Sequence, residues 1–229
     1  MLLNLEKQFR FYGSYHHNPV NVVIHIICVP VIMLCMLLLG TLAQPLFPVP
    51  EAVAIESFPP NLATVAGVVY TILYILMEPV AGALLAPLLL AGTAFVNHLS
   101  STHGNTAIYW SLAVQAVAWI AQFVGHGVFE GRAPALLDNL VQAFFLAPFF
   151  VWLEVLFSLG YRPALKARID KAVEVEVARF NISKKGLSPK RRKNNYLYRQ
   201  LLTFDTSQAF GLACDVERLL SIMFHHSPY

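Results

Sequence analysis

Two long stretches of this sequence contain no charged residue. Neither residues 11–50 nor residues 79–129 include an Asp, Glu, Lys or Arg. The chain of 229 residues is 57% hydrophobic and 13% charged, whereas soluble globular domains carry about 25% charged residues. Such stretches leave too little polar surface to face water. The sequence therefore predicts an all-α integral membrane protein, and it excludes a disordered chain or a disulfide-rich secreted domain.

The apolar pattern predicts five segments. They lie at about residues 20–39, 62–77, 80–96, 107–124 and 140–159. A transmembrane helix needs about 20 apolar residues. The second and third segments are short and are separated by Glu78 and Pro79, which favours a tight hairpin. We expect Asn18 to cap the first helix and Pro19 to be its first residue.

The basic residues predict how these segments are oriented. Lys7 and Arg10 precede the first segment, and Arg162 and Lys166 follow the fifth. Basic residues favour the cytosolic side, so both ends should be cytosolic and the number of crossings should be even. The fifth segment is interrupted by Pro148. We therefore predict four transmembrane helices, with a re-entrant or interfacial fifth segment.

The charges also divide the chain into two parts. Residues 1–160 contain three basic and seven acidic residues, whereas residues 161–229 contain thirteen basic and six acidic ones. We interpret residues 1–165 as a membrane-embedded domain that carries the function. Residues 166–229 are interpreted as a polar, basic C-terminal extension on the cytosolic side. Its basic run at residues 184–193 is interpreted as a solvated segment, with contact to anionic membrane lipid as the alternative, and no nucleic acid is expected as a partner.

Polar side chains inside the apolar segments are the candidates for chemistry, because they are costly at membrane depth and tend to be functional. Asn21 and His25 are four residues apart and share one helical face. His16 precedes the helix that begins at Pro19, so the chain can fold back and bring it towards His25.

A second polar group ends the fourth segment. Gln122, His126 and Glu130 follow one another at a spacing of four and predict a polar stripe. In the four-helix topology, His16, His25 and His126 lie on the same side of the membrane. Neutral imidazoles that converge there suit a metal such as iron. Glu130 is a candidate fourth ligand, or a carboxylate that orients an imidazole.

Other interpretations of the histidines remain open from spacing alone. Each one can be an ordinary interfacial or hydrogen-bonded residue. Two membrane histidines can also hold a b-type haem. His98 and His103 flank the loop predicted at residues 100–105, on the opposite side, and we expect them not to be ligands.

Two motifs resemble those of one family. The first is YHHNP at residues 15–19, followed by Asn21 and His25. The second is WIAQFVGHGVFE at residues 119–130, followed by RAPAL at residues 132–136 and DNL at residues 138–140. In order and spacing they resemble a family of small endoplasmic reticulum membrane proteins, the yeast-type 2-hydroxy fatty acid dioxygenases. The resemblance covers roughly residues 4–170.

This resemblance implies an Fe(2+)-dependent α-oxidation. A 2-hydroxy long-chain fatty acid and O2 would give a fatty acid one carbon shorter, in the breakdown of phytosphingosine and other sphingolipids. The expected location is the endoplasmic reticulum membrane, as a multi-pass protein with both termini cytosolic.

The resemblance also suggests roles for particular residues. The expected metal ligands and catalytic residues are His16, His25 and His126, with Glu130 as a further catalytic candidate. Asn21 and Gln122 are expected to hold imidazoles or the substrate carboxylate. Arg132 is expected to bind that carboxylate. Its alternative role is a topology charge or an ion pair with Glu130 or Asp138.

Two other function classes remain as alternatives. The polar residues can form the pathway of a transporter or channel for a small or lipidic solute. The protein can also be an endoplasmic reticulum scaffold that acts through its basic extension. Metal content distinguishes the enzyme from both. The sequence predicts neither the acyl-chain preference nor the oligomeric state.

Overall fold

The computed structural model describes residues 4–134 and 142–184, and these residues form helices with no strand. The α-helices are α1 (Leu5–Tyr15), α2 (Pro19–Gly40), α3 (Leu62–Met77), α4 (Pro79–His103), α5 (Asn105–Val124), α6 (Ala147–Ser158) and α7 (Pro163–Lys184). A first π-helix (Gly125–Glu130) continues α5, and a second π-helix (Gln142–Leu146) leads into α6. The predicted all-α class is confirmed.

Several helices are apolar enough for a bilayer. Within the described ranges, three helical stretches have the length and hydropathy to cross a membrane: α2, α4, and α5 together with the first π-helix. A fourth exists if α6 and α7, which meet at a bend of 117°, are one broken span. Helix α3 has 16 residues, fewer than the roughly 20 that a span needs. Three to four helices can therefore span a membrane.

The start of α2 is the predicted one. Pro19 is its first residue, where a missing N–H costs nothing. The Oδ1 atom of Asn18 accepts a hydrogen bond from the backbone N–H of Val20 at 2.9 Å, which satisfies one of the free donors at the helix terminus. The turn at residues 16–18 therefore separates α1 from α2.

The second and third segments form the expected tight hairpin, in which Glu78 alone separates α3 from α4. Its carboxylate accepts hydrogen bonds from Tyr161 Oη at 2.8 Å and from Arg162 Nη1 at 3.1 Å. A Cβ atom added at Gly82 would clash with the backbone carbonyl of Tyr74. Glycine is therefore what lets the first turn of α4 approach the end of α3.

Two predicted boundaries are wrong. Helix α4 continues through His98 to His103, and the expected loop at residues 100–105 reduces to Gly104, whose φ of 50° ends the helix. In this polar end of the helix, the Oγ atom of Ser101 donates a hydrogen bond to the carbonyl of His98. Pro148 does not interrupt a helix either. It lies in the first turn of α6, where no N–H is required.

Helix α1 packs against α6 through aromatic rings. The ring of Phe9 meets those of Phe150 and Phe157 edge to face at centroid distances of 5.3 Å and 5.4 Å. Tyr12 lies one turn further along α1 and also contacts Phe150, at 5.1 Å. These contacts hold the end of α1, and therefore His16, against the bundle.

The described residues up to Val173 belong to one compact unit. Helix α7 runs from Pro163 to Lys184. The predicted boundary between residues 165 and 166 stays a prediction. Most of the basic run, from residue 185 onward, and the beginning of the fifth apolar segment lie outside the described residues.

Candidate metal centre and adjoining cavity

Three buried histidines converge at one point of the bundle. His16 comes from the end of α1, His25 from the second turn of α2 and His126 from the first π-helix. Their side chains are 3–8% exposed. Each offers a ring nitrogen, and these three atoms lie within 4.8 Å of one another. The ring centroids are 4.4 to 4.9 Å apart, so the structure brings together the three histidines predicted as ligands.

Two of the imidazoles are held in the same way. Nδ1 of His16 donates to the carbonyl of Tyr12 at 2.8 Å, and Nδ1 of His25 donates to the carbonyl of Asn21 at 2.8 Å. A carbonyl can only accept, so the proton of each neutral ring lies on Nδ1. Each Nε2 therefore carries the lone pair, which is the form that binds a metal.

The third imidazole lies where the helical turn widens. His126 belongs to the first π-helix, a local distortion that often occurs at functional sites. Its Nδ1 atom is buried and has no hydrogen-bond partner. An unsatisfied buried polar atom costs about 1–3 kcal/mol. A bound cation or substrate at the centre would remove that penalty, so this set of donors fits a metal ion.

His16 is held in its neutral form. Burial lowers the pKa of the His16 imidazole well below its ordinary value of about 6.5, and the nearby rings of His25 and His126 lower it further. The ring is consequently neutral near pH 7, and a metal ion does not have to displace a second proton from it.

Close approach of α2 and α5 builds this centre. Asn21 is fully buried and donates through Nδ2 to the carbonyl of Tyr15 at 3.4 Å. A Cβ atom added at Gly125 would clash with the Oδ1 atom of Asn21. Asn21 therefore lies between the end of α1 and Gly125. In this position it helps to hold His16 and His126 in place.

The carboxylate of Glu130 binds two backbone N–H groups in the turn between α1 and α2. Its Oε1 accepts the backbone N–H of His17 at 2.5 Å and its Oε2 accepts that of Asn18 at 2.9 Å. In the described part of the chain, no carboxylate joins the three histidines. The contact supports the predicted orienting role, because it fixes the turn after His16.

Arg132 contacts the end of α1. Its Nη1 donates to the carbonyl of Ser14 at 2.9 Å, and its guanidinium lies 3.5 Å from the ring centroid of Tyr15. A substrate carboxylate would have to compete with these contacts. Asp138, the other partner considered, lies outside the described residues.

A cavity of about 160 Å³ opens onto the histidines. Its walls come from α1, α2, α3, α5, α6 and the residues around the second π-helix, and they are mostly apolar. Polar atoms without a partner occur at the histidine end. They are Oη of Tyr12, Nε2 of Gln122 and Nδ1 of His126. Because all three residues line the cavity, these atoms are the candidates to bind the polar part of a ligand.

Tyr12 was not predicted as a site residue from the sequence. Its ring stacks on that of His16 at a centroid distance of 4.1 Å and an interplanar angle of 15°. The side chain is 3% exposed and lines the cavity. The available signal was its spacing of four residues from His16 within one helix.

The remaining histidines of the described segments lie elsewhere. His17 is exposed and contributes its backbone N–H to Glu130. His98 and His103 are exposed on α4 and do not belong to the converging group. This placement agrees with their expected role as non-ligands.

Comparison with known proteins identifies a family that this chain matches. The family described as Mpo1-like, 2-hydroxy-palmitic acid dioxygenase, matches residues 2–159. A protein of Saccharomyces cerevisiae, the 2-hydroxy-palmitic acid dioxygenase MPO1, is 40% identical over 178 residues, which cover 76% of this chain and 92% of the relative. No solved structure matches the chain. The three converging histidines all lie within the matched range.

Proposed function

This chain belongs to the Mpo1-like family of 2-hydroxy-palmitic acid dioxygenases, and from that premise we propose that it is an Fe(2+)-dependent dioxygenase of 2-hydroxy long-chain fatty acids. O2 is the oxidant: the bond between carbons 1 and 2 of the substrate breaks, carbon 1 leaves as CO2, and carbon 2 becomes the carboxyl group of a fatty acid one carbon shorter, with one H2O as the remaining product. The observation that carries the proposal is the convergence of three buried imidazoles at the polar end of an apolar cavity.

The three histidines are the proposed iron ligands. His16 and His25 present Nε2 because their Nδ1 atoms are bound to carbonyls, and His126 completes the set. Three neutral protein donors leave coordination positions open for substrate and O2. Iron bound there would supply the redox chemistry that O2 activation needs.

Tyr12 and Gln122 are proposed to bind the polar end of the substrate. Burial raises the pKa of the Tyr12 phenol, and the nearby carboxylates of Glu154 and Glu130 raise it further, so the hydroxyl keeps its proton and can donate. Nε2 of Gln122 is a second donor without a partner. Together they offer two hydrogen bonds to the carboxylate or 2-hydroxyl of the acid.

The apolar walls would hold the acyl chain and keep water from the reacting end. Membrane lipid is the expected source of such a substrate, because a long acyl chain partitions into the bilayer. We also propose that the protein lies in the endoplasmic reticulum membrane with both termini cytosolic, and that it acts in sphingolipid breakdown. The basic residues on either side of the membrane part support this orientation.

Metal analysis combined with O2 consumption tests the proposal. The purified full-length protein should contain close to one iron per chain and consume O2 when 2-hydroxypalmitate is added. His25→Ala and His126→Ala should lose both iron and activity while still accumulating in membranes. His103→Ala is the matched control, because that histidine is exposed and lies outside the converging group.

A folded preparation without iron, or activity that survives His25→Ala, would contradict the proposal. A transporter would instead show solute flux that continues after chelation. A scaffold would retain its role in both histidine variants.

A further inference from the structure

One face of α2 forms a continuous wall of the cavity. The residues on this wall are His25, Val29, Ile32, Met33, Met36 and Leu37. Their spacing of three and four is that of one helical face. Only the first of them is polar, so the wall runs from the candidate metal centre into apolar surroundings.

The length of this wall matches one long acyl chain. From His25 to Leu37 the helix advances by twelve residues, which is about 18 Å at roughly 1.5 Å per residue. Two layers of lipid acyl chains fill the roughly 30 Å hydrocarbon core of a bilayer, so one long chain spans about 15 Å. An acid whose polar end reaches the histidines would therefore place its methyl end near Met36 and Leu37.

A neighbouring wall belongs to α5, which packs directly against α2 in an antiparallel register. His25 lies against His126 at one end, and Met36 lies against Gln115 at the other, where Nε2 of Gln115 donates to the sulfur of Met36 at 3.1 Å. The separation along the chain is the same on both helices. The two helices therefore run side by side from the histidines to this contact.

The far end of the wall is closed by packing at Leu37, whereas the neighbouring Met36 is 43% exposed. Leu37 is 4% exposed and belongs to a core cluster with residues of α3, α4 and α5, including Ala63, Val96 and Ile108. Met33 packs against the same cluster. Because well-packed cores resist added volume, a longer chain would have to displace these side chains.

We propose that Met33 and Leu37 set the acyl-chain length of the substrate, and this inference rests on the proposed function. The polar end of the acid is held at the histidine end, and the chain lies along α2. Each methylene that the cavity covers strengthens binding by about fourfold. The gain stops where the chain meets the packed side chain of Leu37, so this residue limits the longest acid that binds well.

Opposite substitutions in the full-length protein test this inference. Saturated 2-hydroxy acids from medium-chain to very-long-chain are compared by kcat/KM. Met33→Phe narrows the middle of the cavity and should move the preferred acid to a shorter chain, with about a tenfold change in the ratio of short-chain to long-chain kcat/KM. Leu37→Ala removes volume at the closed end and should move the preference to a longer chain.

Ile27→Phe is the matched control. Ile27 lies on α2, but its side chain is 62% exposed and does not line the cavity. The chain-length profile of this variant should remain that of the wild type. The inference is overturned if Met33→Phe and Leu37→Ala keep the wild-type profile, or if they lower kcat/KM by the same factor for every acid.

A binding measurement separates this inference from the proposed function. A ligand that binds the folded state raises its unfolding temperature, so the same acids can be compared without turnover. If the wild type turns over none of them, the proposed function fails. Opposite shifts in the chain length that stabilises Met33→Phe and Leu37→Ala would still support the inference, and identical profiles would overturn it.

Discussion

The carboxylate of Glu130 accepts a hydrogen bond from the backbone N–H of Asn18 at 2.9 Å, and the two residues are 112 positions apart in sequence. This contact joins the π-helix that carries His126 to the turn that follows His16. The Glu130 carboxylate therefore connects two parts of the chain that are distant in sequence. Each of these parts carries one of the three candidate ligands.

Glu130→Gln should weaken metal binding. The amide retains one acceptor oxygen, but its NH2 group would face one of the two N–H donors of residues 17 and 18. We expect the iron affinity to fall by about 10- to 100-fold, as is typical when a group that positions ligands is lost. Iron titration of the purified protein measures this. Glu56→Gln is the control, because Glu56 is exposed in the segment between α2 and α3. An unchanged iron affinity in Glu130→Gln would contradict the positioning role.

Tyr12→Phe should separate activity from stability. The phenylalanine ring keeps the stacking on His16, whereas the buried hydroxyl, which has no partner without substrate, is removed. Because an unsatisfied buried hydroxyl costs about 1–3 kcal/mol, the substrate-free variant should be at least as stable as the wild type. Its KM for the 2-hydroxy acid should rise about tenfold with the loss of one hydrogen bond. Equal KM values in variant and wild type would refute substrate binding by Tyr12, and Tyr109→Phe is an exposed control.

Gly125→Ala should disturb the centre, whereas Gly127→Ala should not. A Cβ atom at residue 125 would clash with Asn21, but one at residue 127 meets nothing within 4 Å. The first substitution should destabilise the protein by about 1–3 kcal/mol, as overpacking does, and reduce iron binding. Thermal unfolding measures the stability of both variants, and metal analysis measures their iron content. Equal effects at the two glycines would argue against the close approach of α2 and α5.

The stability of the metal-free protein should fall as the pH decreases below about 6.5. The unfolded state binds a proton at His16 near that pH, whereas the buried ring, whose pKa is lowered, remains neutral. The unfolded state therefore holds more protons in this range, and acid favours unfolding. Above about pH 6.5 the contribution of His16 should be constant.

Thermal unfolding in detergent between pH 8 and pH 5 measures this dependence, a range that brackets the ordinary histidine pKa of about 6.5. His16→Gln should make the decrease in stability shallower, whereas His103→Gln should leave it as in the wild type. An equally steep decrease in His16→Gln would show that other groups cause it.

Removal of residues 185–229 should leave most of the activity. We propose that the membrane-embedded part, assigned to residues 1–165, is catalytic and that residues 166–229 are an extension. The family match ends at residue 159, and the candidate site lies before it. The kcat/KM of the truncated protein for 2-hydroxypalmitate should stay within about threefold of the full-length value, the usual scatter of such contributions. A complete loss in a folded, iron-containing truncation would assign a catalytic role to the extension.

Local patterns predicted much of the fold. The start of α2 follows from Asn18 and Pro19, because capping depends on a few neighbouring residues. The hairpin at Glu78 follows from two short apolar segments that meet at a Pro. The end of α4 was not predicted, because the polar residues of its last turns have the composition of a loop.

The candidate site was predicted in part. His16, His25 and His126 follow from their positions in stretches that lack charge and from the resemblance of the motifs. The residues that contact these histidines and hold them in place did not follow from the sequence. Helical spacing related Glu130 to His126, but it could not show that the Glu130 carboxylate binds the backbone of residues 17 and 18, which are distant in sequence.

The sequence by itself determined that the chain is helical and suited to a membrane, and it identified the histidines to consider. Composition and local spacing suffice for those conclusions. Only the tertiary structure decided that Tyr12 faces the cavity, that Arg132 contacts the end of α1, and that the apolar wall ends near Leu37. These features arise from contacts between helices that are distant in sequence, and local spacing carries no information about them.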